Sequence, residues 1–242
     1  MSGAYELYPG GRGGPLLFTC EHASRRVPSP LRSSGADRRW LATHWGFDIG
    51  AATVTRELAR RTRSPAVLAR FSRLVCDANR PSDSPDWIRL AVEGHALGFN
   101  RRVDARERRR RQRRLHDPYH AAIDRLVERG GPSRPLLVAV HSFTPVLGRE
   151  RRAMELGVLF NEHATLGRRL ARLLARDGWR VAENAPYSGA VPGMIYSIER
   201  HGKAHGVPHL ELELRQDLVD TAPRARTAGR RLAGALLALV EG

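Results

Sequence analysis

Lysine is almost missing from this chain: Lys203 is the only one among 41 basic residues, and the rest are arginine. Cysteine is scarce too, with Cys20 and Cys76 alone. Two cysteines without metal or C-x-x-C spacing exclude a disulfide framework and a redox motif. Both lie in apolar runs, where buried, reduced thiols are expected. Long hydrophobic runs are absent as well. "LLVAV" at 136–140 and "LAGALLALV" at 232–240 fall well short of the ~20 residues that span a bilayer, so no membrane partner is expected. The opening residues, "MSGAYELYPGGRGG", show no basic segment followed by an apolar one. They do not read as a secretory signal, and a cytoplasmic location is expected.

Arginine is what the chain has in excess, and its formal net charge is +16. Such a balance ordinarily points to nucleic acid or another acidic surface. A basic set nearly free of lysine, however, is what a GC-rich coding bias produces. The densest run, "RRVDARERRRRQRR" at 101–114, reads as a solvated helix face with few interleaved aromatics and no nucleic-acid motif. Nucleic acid is therefore the less favoured partner, and a small acidic molecule drawn in by the field of the protein is the better one. Oligomeric state leaves no signal in the sequence.

With 242 residues, 41% of them apolar, the chain can build one sizeable core. We expect a single domain over 1–242 with a loose lead-in over 1–15, where glycine and proline cluster at 9–15. Residues 16–20 form the expected first strand, and helical spacing of Ile49, Ala52, Val54 and Leu58 predicts a helix over 49–62. "AVLARF" and "RLVCD" read as short strands, followed by a turn-rich loop, "NRPSDSP". Leu115, Tyr119, Ile123 and Leu126 place an apolar stripe on a long helix from 104 to 129, with Pro118 as the place for a break. "PLLVAVHSF", "LGVLF", "WRVAE" and "VPHLELEL" read as later strands, separated by a helix over 163–177 and followed by one over 223–241. Strands alternating with helices predict an α/β three-layer sandwich around a central, mixed but mainly parallel sheet.

Functional groups of such sheets gather where strands end, and three strand ends here are chemically unusual. The first gives Glu21 and His22, the central one His141 and Ser142, and the late one Glu211 and Glu213 followed by Arg215. A catalytic zinc takes three His or carboxylate ligands and keeps a position open; His22 and His141 are the natural pair. Adjacent residues of an extended chain point to opposite sides, so Glu21 is a weaker third ligand than Asp48 in "HWGFDIGA". Asp48 has a second reading as a helix N-cap, and His44 is a spare. Glu211 and Glu213 share one strand face, where buried carboxylates need a partner; either suits the carboxylate that a hydrolase uses to move a proton. In "SRLVCDANR", Arg73, Asn79 and Arg80 offer the donors that hold a carboxylate, and Arg215 after the late strand is a further substrate-binding candidate.

Taken in order, "TCEHAS", "HWGFDIGA", "SRLVCDANRP", "HSFTP", "NAPYSG" and "LELRQDL" resemble the N-formylglutamate amidohydrolase family over roughly residues 16–220. The resemblance implies a zinc exopeptidase-like fold and one zinc ion at His22, Asp48 and His141. It also implies Glu213 as general base and acid, and Arg73, Asn79 and Arg80 near the substrate carboxylates, with Asn184 and Tyr187 at the edge of the site. The implied reaction cleaves the amide of an N-acylated acidic amino acid, N-formyl-L-glutamate yielding formate and L-glutamate. The His-x-x-Glu ligand pair of carboxypeptidases is missing, since Arg25 stands three residues after His22. A peptide or cell-wall amide is the alternative substrate for the same site.

Overall fold

Apolar runs that alternate with amphipathic segments become, in the computed structural model, a sheet covered by helices on both faces. The structure describes residues 3–10, 14–130 and 134–241. In chain order the strands are β1 (Tyr5–Tyr8), β2 (Leu16–Cys20), β3 (Ala66–Ala69), the pair β4 (Ala91–Val92) and β5 (His95–Ala96), β6 (Leu136–Phe143), the pair β7 (Val146–Leu147) and β8 (Glu150–Arg151), β9 (Leu156–Leu159), β10 (Val181–Glu183) and β11 (His209–Arg215). The helices are α1 (Gly35–Leu41), α2 (Ala51–Thr62), α3 (Ala105–Arg111), α4 (Asp117–Arg129), α5 (Ala164–Arg176), α6 (Tyr196–His205) and α7 (Ala222–Glu241).

The main sheet runs β1-β3-β2-β6-β11-β9-β10. β3, β2, β6 and β11 are parallel neighbours, whereas β1 and β9 join antiparallel. Every residue of β2, β6 and β11 is buried, as strands covered on both faces require. Leu210, Leu212 and Leu214 of β11 face the layer of α2, α5 and α7, together with Phe18, Val138 and Val140. The opposite face meets α4 and α6 through Leu17, Val67, Leu137, Tyr119 and Ile123, and through Ala139 and Ile198. The alternation of β11 thus sends Glu211 and Glu213 to the α4/α6 side. The parallel strands end at one edge, and that is where His22, His141 and Glu213 meet.

Four local expectations change. Residues 5–8, placed in the loose lead-in, form β1 and pair with β3; residues 1–2 and 11–13 of that lead-in lie outside the described residues. "RLVCD" is buried but forms no strand, because side chains take the bonds that a ladder would need. Asn100 Nδ2 donates to the Leu74 carbonyl at 2.7 Å, Arg111 donates to the Val75 carbonyl at 2.7 Å, and Ser72 Oγ caps the turn through the Leu74 N–H at 3.2 Å. The long helix is not broken at Pro118. One π-helical turn over Gln112–His116 joins α3 to α4, with Pro118 in the first turn of α4, where its missing N–H is tolerated. The arginine-rich segment is not simply a solvated face, since Arg111 is buried and bonds four acceptors.

Cys20 and Cys76 are buried and unpaired, and burial pushes both thiols above their usual range. Among the described residues, no helix is long and apolar enough to cross a membrane.

Candidate metal centre

Beyond Cys20 the chain delivers two polar side chains in different directions. Glu21 accepts a hydrogen bond from Tyr119 Oη at 2.9 Å and meets His141 Nε2 at 3.0 Å. His22 meets Asp77 Oδ1 through Nε2 at 2.7 Å and Asp48 Oδ2 through Nδ1 at 3.4 Å. From β6, His141 brings its own Nδ1 to 2.8 Å from the same Asp48 oxygen. Asp48 does not cap α2 with its side chain. Gly50 holds the cap position at φ 81°, without a side-chain bond, and a Cβ there would collide with the Val219 carbonyl. The Asp48 carboxylate instead accepts the Ser142 N–H at 3.2 Å and faces both rings.

Each imidazole therefore turns Nδ1 toward one point and ties Nε2 to a carboxylate. This is how an imidazole ligand is oriented: the outer nitrogen keeps its proton for the carboxylate, and the inner lone pair is left for a metal. The ligand atoms of His22, Asp48 and His141 all lie within 4.8 Å of one another. Asp77→Asn is expected to weaken metal binding about 10- to 100-fold, as measured by competition with a chelating dye. An unchanged affinity would detach Asp77 from the centre.

The charge balance fits a cation. Glu21, Asp48, Asp77, Glu211 and Glu213 are all buried, and the guanidinium that meets them is that of Arg73, 3.0 Å from Asp77 and 3.7 Å from Asp48. Carboxylates so crowded in a dry interior need protons, bonded partners or a cation, and a divalent ion at Asp48 would be such a cation. Glu213 lies in register with His141 across the β6–β11 pair, and Glu211 Oε2 is 3.7 Å from His141 Nε2. One oxygen of each glutamate, Oε2, is buried without a hydrogen-bond partner.

Burial pushes Glu211 up to about 7 against the pull of His141, with the charges of Glu21 and Asp48 adding to the rise. Glu213 is raised well above the carboxylate range by burial, again against His141 and with Glu211 and Asp48 adding. For Glu21 the penalty of burial is outweighed by the His141 bond, which holds it at about 2. Burial alone would lower His141, but Glu211, Asp48 and Glu21 together raise it.

Beside Asp48 opens a cleft of ≈ 280 Å³ lined by His44, Arg73, Arg80, Arg89 and Tyr187 among others. Burial and then the Arg73 charge lower the His44 pKa. Three residues expected at the site have their bonding groups engaged elsewhere. Asn79 donates to the Met194 carbonyl at 3.2 Å and accepts the Ser197 N–H at 2.9 Å, which ties the loop to α6. Asn184, at φ 49°, accepts the Phe160 and Gly189 N–H groups at 2.9 and 3.0 Å. Arg215 is bonded to Asp217 and to the carbonyls of residues 152–154. Sequence reasoning passed over Asp77, Tyr119 and Arg89. Asp77 had a signal, as the one carboxylate of the "DANR" run; Tyr119 was read only as part of an apolar stripe.

A mainly parallel sheet with a two-histidine, carboxylate-rich centre at its strand ends, in a chain matched by an amidohydrolase family model, gives the class: a hydrolase of amide bonds. The chain belongs to the N-formylglutamate amidohydrolase family, whose model matches residues 14–219. A gene product of Agrobacterium tumefaciens, 29% identical, superposes with a TM-score of 0.87 over 99% of this chain and 96% of its own. An N-formylglutamate amidohydrolase from Ralstonia eutropha, 20% identical, gives 0.76 over 99% and 97%. A zinc-free apo form of YndL, 10% identical, gives 0.50 over 99% of this chain and 90% of its own. No curated protein sequence matches the chain.

Proposed function

We propose that the protein is a zinc-dependent amidohydrolase acting on N-acylated acidic amino acids, foremost N-formyl-L-glutamate, which it cleaves to formate and L-glutamate. The observation that carries the reading is the Glu213 carboxylate, one oxygen of which is buried without a hydrogen-bond partner, in register with His141 of the His22–Asp48–His141 set, beside whose Asp48 an arginine-lined cleft opens. Two imidazole nitrogens and one carboxylate oxygen with a position left open suit a catalytic zinc. The Ralstonia relative supports the substrate, and the apo form described as zinc-free supports the metal.

Zinc bound there supplies Lewis-acid polarisation of the scissile carbonyl and acidifies the attacking water. Glu213 takes the proton that water loses and passes it to the leaving nitrogen as the C–N bond breaks. The hydroxyl stays on the acyl carbon, which leaves as the carboxylic acid. Burial in a carboxylate-rich pocket raises the proton affinity of Glu213, and that suits a group that must hold a proton between the two transfers. Asp77 and Glu21 keep the two histidine rings in place.

Arg80 spends one nitrogen on the Gly193 carbonyl, at 2.6 Å, and lines the cleft together with Arg73 and Arg89. A guanidinium fork in that position holds the α- or γ-carboxylate of the substrate. Arg80→Met is expected to raise KM about 10- to 100-fold, the loss of a charge-assisted bond of about 1.5–3 kcal/mol, with a smaller change in kcat. The test is a panel of N-formyl, N-acetyl and N-acyl derivatives of glutamate, aspartate and leucine, run beside short cell-wall peptides. Preferred turnover of the peptides or of the leucine derivatives would contradict the reading.

A further inference from the structure

Away from the cleft, a second set of side chains converges as metal ligands do. Asp124 of α4 and His201 and His205 of α6 bring a carboxylate oxygen and two ring nitrogens within 4.8 Å of one another. His201 and His205 are four residues apart, so one helical turn places them on the same face. Asp124 Oδ1 lies 2.6 Å from His201 Nδ1 and 2.9 Å from His205 Nε2.

The ring of His201 is fully buried, and its other nitrogen, Nε2, is 2.8 Å from Nδ1 of the buried His120. That bond fixes the orientation of the ring, which is the task of the outer partner of an imidazole ligand. The Asp124 and His205 side chains are partly exposed, at 31% and 19%. An ion therefore has a way in, and water has a coordination position.

We propose that Asp124, His201 and His205 bind a second metal ion, zinc by the chemistry of the donors, which clasps α4 to α6. Tetrahedral zinc ligands 2.0–2.1 Å from the ion sit roughly 3.3 Å from one another, so small side-chain rotations close the site. The clasp holds the helix that stands behind the cleft. The Ser197 N–H of α6 bonds Asn79, and the Gly193 carbonyl just before α6 bonds Arg80. The second ion touches neither the reacting atoms nor their ligands and acts on stability.

The test counts metal by mass spectrometry after the metal-free proteins are loaded with zinc and desalted. It compares wild type, His205→Ala, Asp124→Asn and the His22→Ala/His141→Ala double variant. Wild type is expected to hold about two ions and each variant about one. Zinc is expected to raise the melting temperature of the double variant, and His205→Ala is expected to keep wild-type kcat. Equal zinc in wild type, His205→Ala and Asp124→Asn would overturn the clasp, as would a double variant that holds none. One ion in wild type that persists in the double variant and disappears in His205→Ala would uphold the clasp while removing the hydrolytic centre, so the two readings fail separately.

Discussion

Glu213→Gln is expected to lower turnover about 10²- to 10⁴-fold, the usual worth of a positioned acid–base group, without loss of the metal. Gln preserves the shape of the side chain, so β11 keeps its register with His141. It also takes one titratable carboxyl out of a crowded buried set, where burial already disfavours its charged form. Stability and metal content should therefore hold or rise while kcat falls, and KM should move little. Glu211→Gln is the control. Its carboxylate lies on the same strand face but 3.7 Å from His141 Nε2, the nitrogen directed away from Asp48. A larger loss of kcat in Glu211→Gln than in Glu213→Gln would exchange the two roles.

The largest effect on stability is expected from Arg111→Ala. The guanidinium is 2% exposed and donates to the Val75 carbonyl at 2.7 Å, Asn100 Oδ1 at 2.6 Å, the Phe99 carbonyl at 2.9 Å and Glu107 Oε1 at 2.8 Å. Truncation leaves three of these acceptors buried without this donor, while Glu107 keeps Arg110 as its remaining partner. Unmade buried bonds cost about 1–3 kcal/mol each. Because the effects are not additive, about 3–5 kcal/mol is the expected loss. For a chain of this length that is a fall of roughly 6–20 °C in melting temperature. Arg111→Lys should recover little, since one ammonium cannot serve a planar fork of acceptors. A melting temperature within 2 °C of wild type in Arg111→Ala would show that the loop holds itself.

The sheet edge that carries the candidate site was legible because hydrophobic patterning exposes it. An apolar run that stops on Glu21–His22, another on His141 and a third carrying Glu211 and Glu213 need only the rule that parallel strands end together. What patterning does not show is which polar groups are already spent. Asn79, Asn184 and Arg215 read as groups available at the site, yet each bonds main-chain groups of segments distant in sequence, around residues 194–197, 160 and 152–154. The same limit hid Arg111, one arginine in a run of them, which the fold selects as a buried staple. "RLVCD" has the composition of a strand, and only the side chains of Asn100, Arg111 and Ser72, two of them distant in sequence, reveal that its ladder partners are replaced. Asp77 and Tyr119 were missed because their partners, His22 and Glu21, lie 55 and 98 residues away.

The central claim is that His22, Asp48 and His141 hold a hydrolytic metal, and metal content together with activity tests it most directly. Wild type and the His22→Ala/His141→Ala double variant would be loaded with zinc, desalted and assayed with N-formyl-L-glutamate. The account predicts that the double variant holds about one zinc ion fewer per chain than wild type and has no measurable turnover. Equal zinc in the two proteins, or hydrolysis that survives the loss of both histidines, would contradict it.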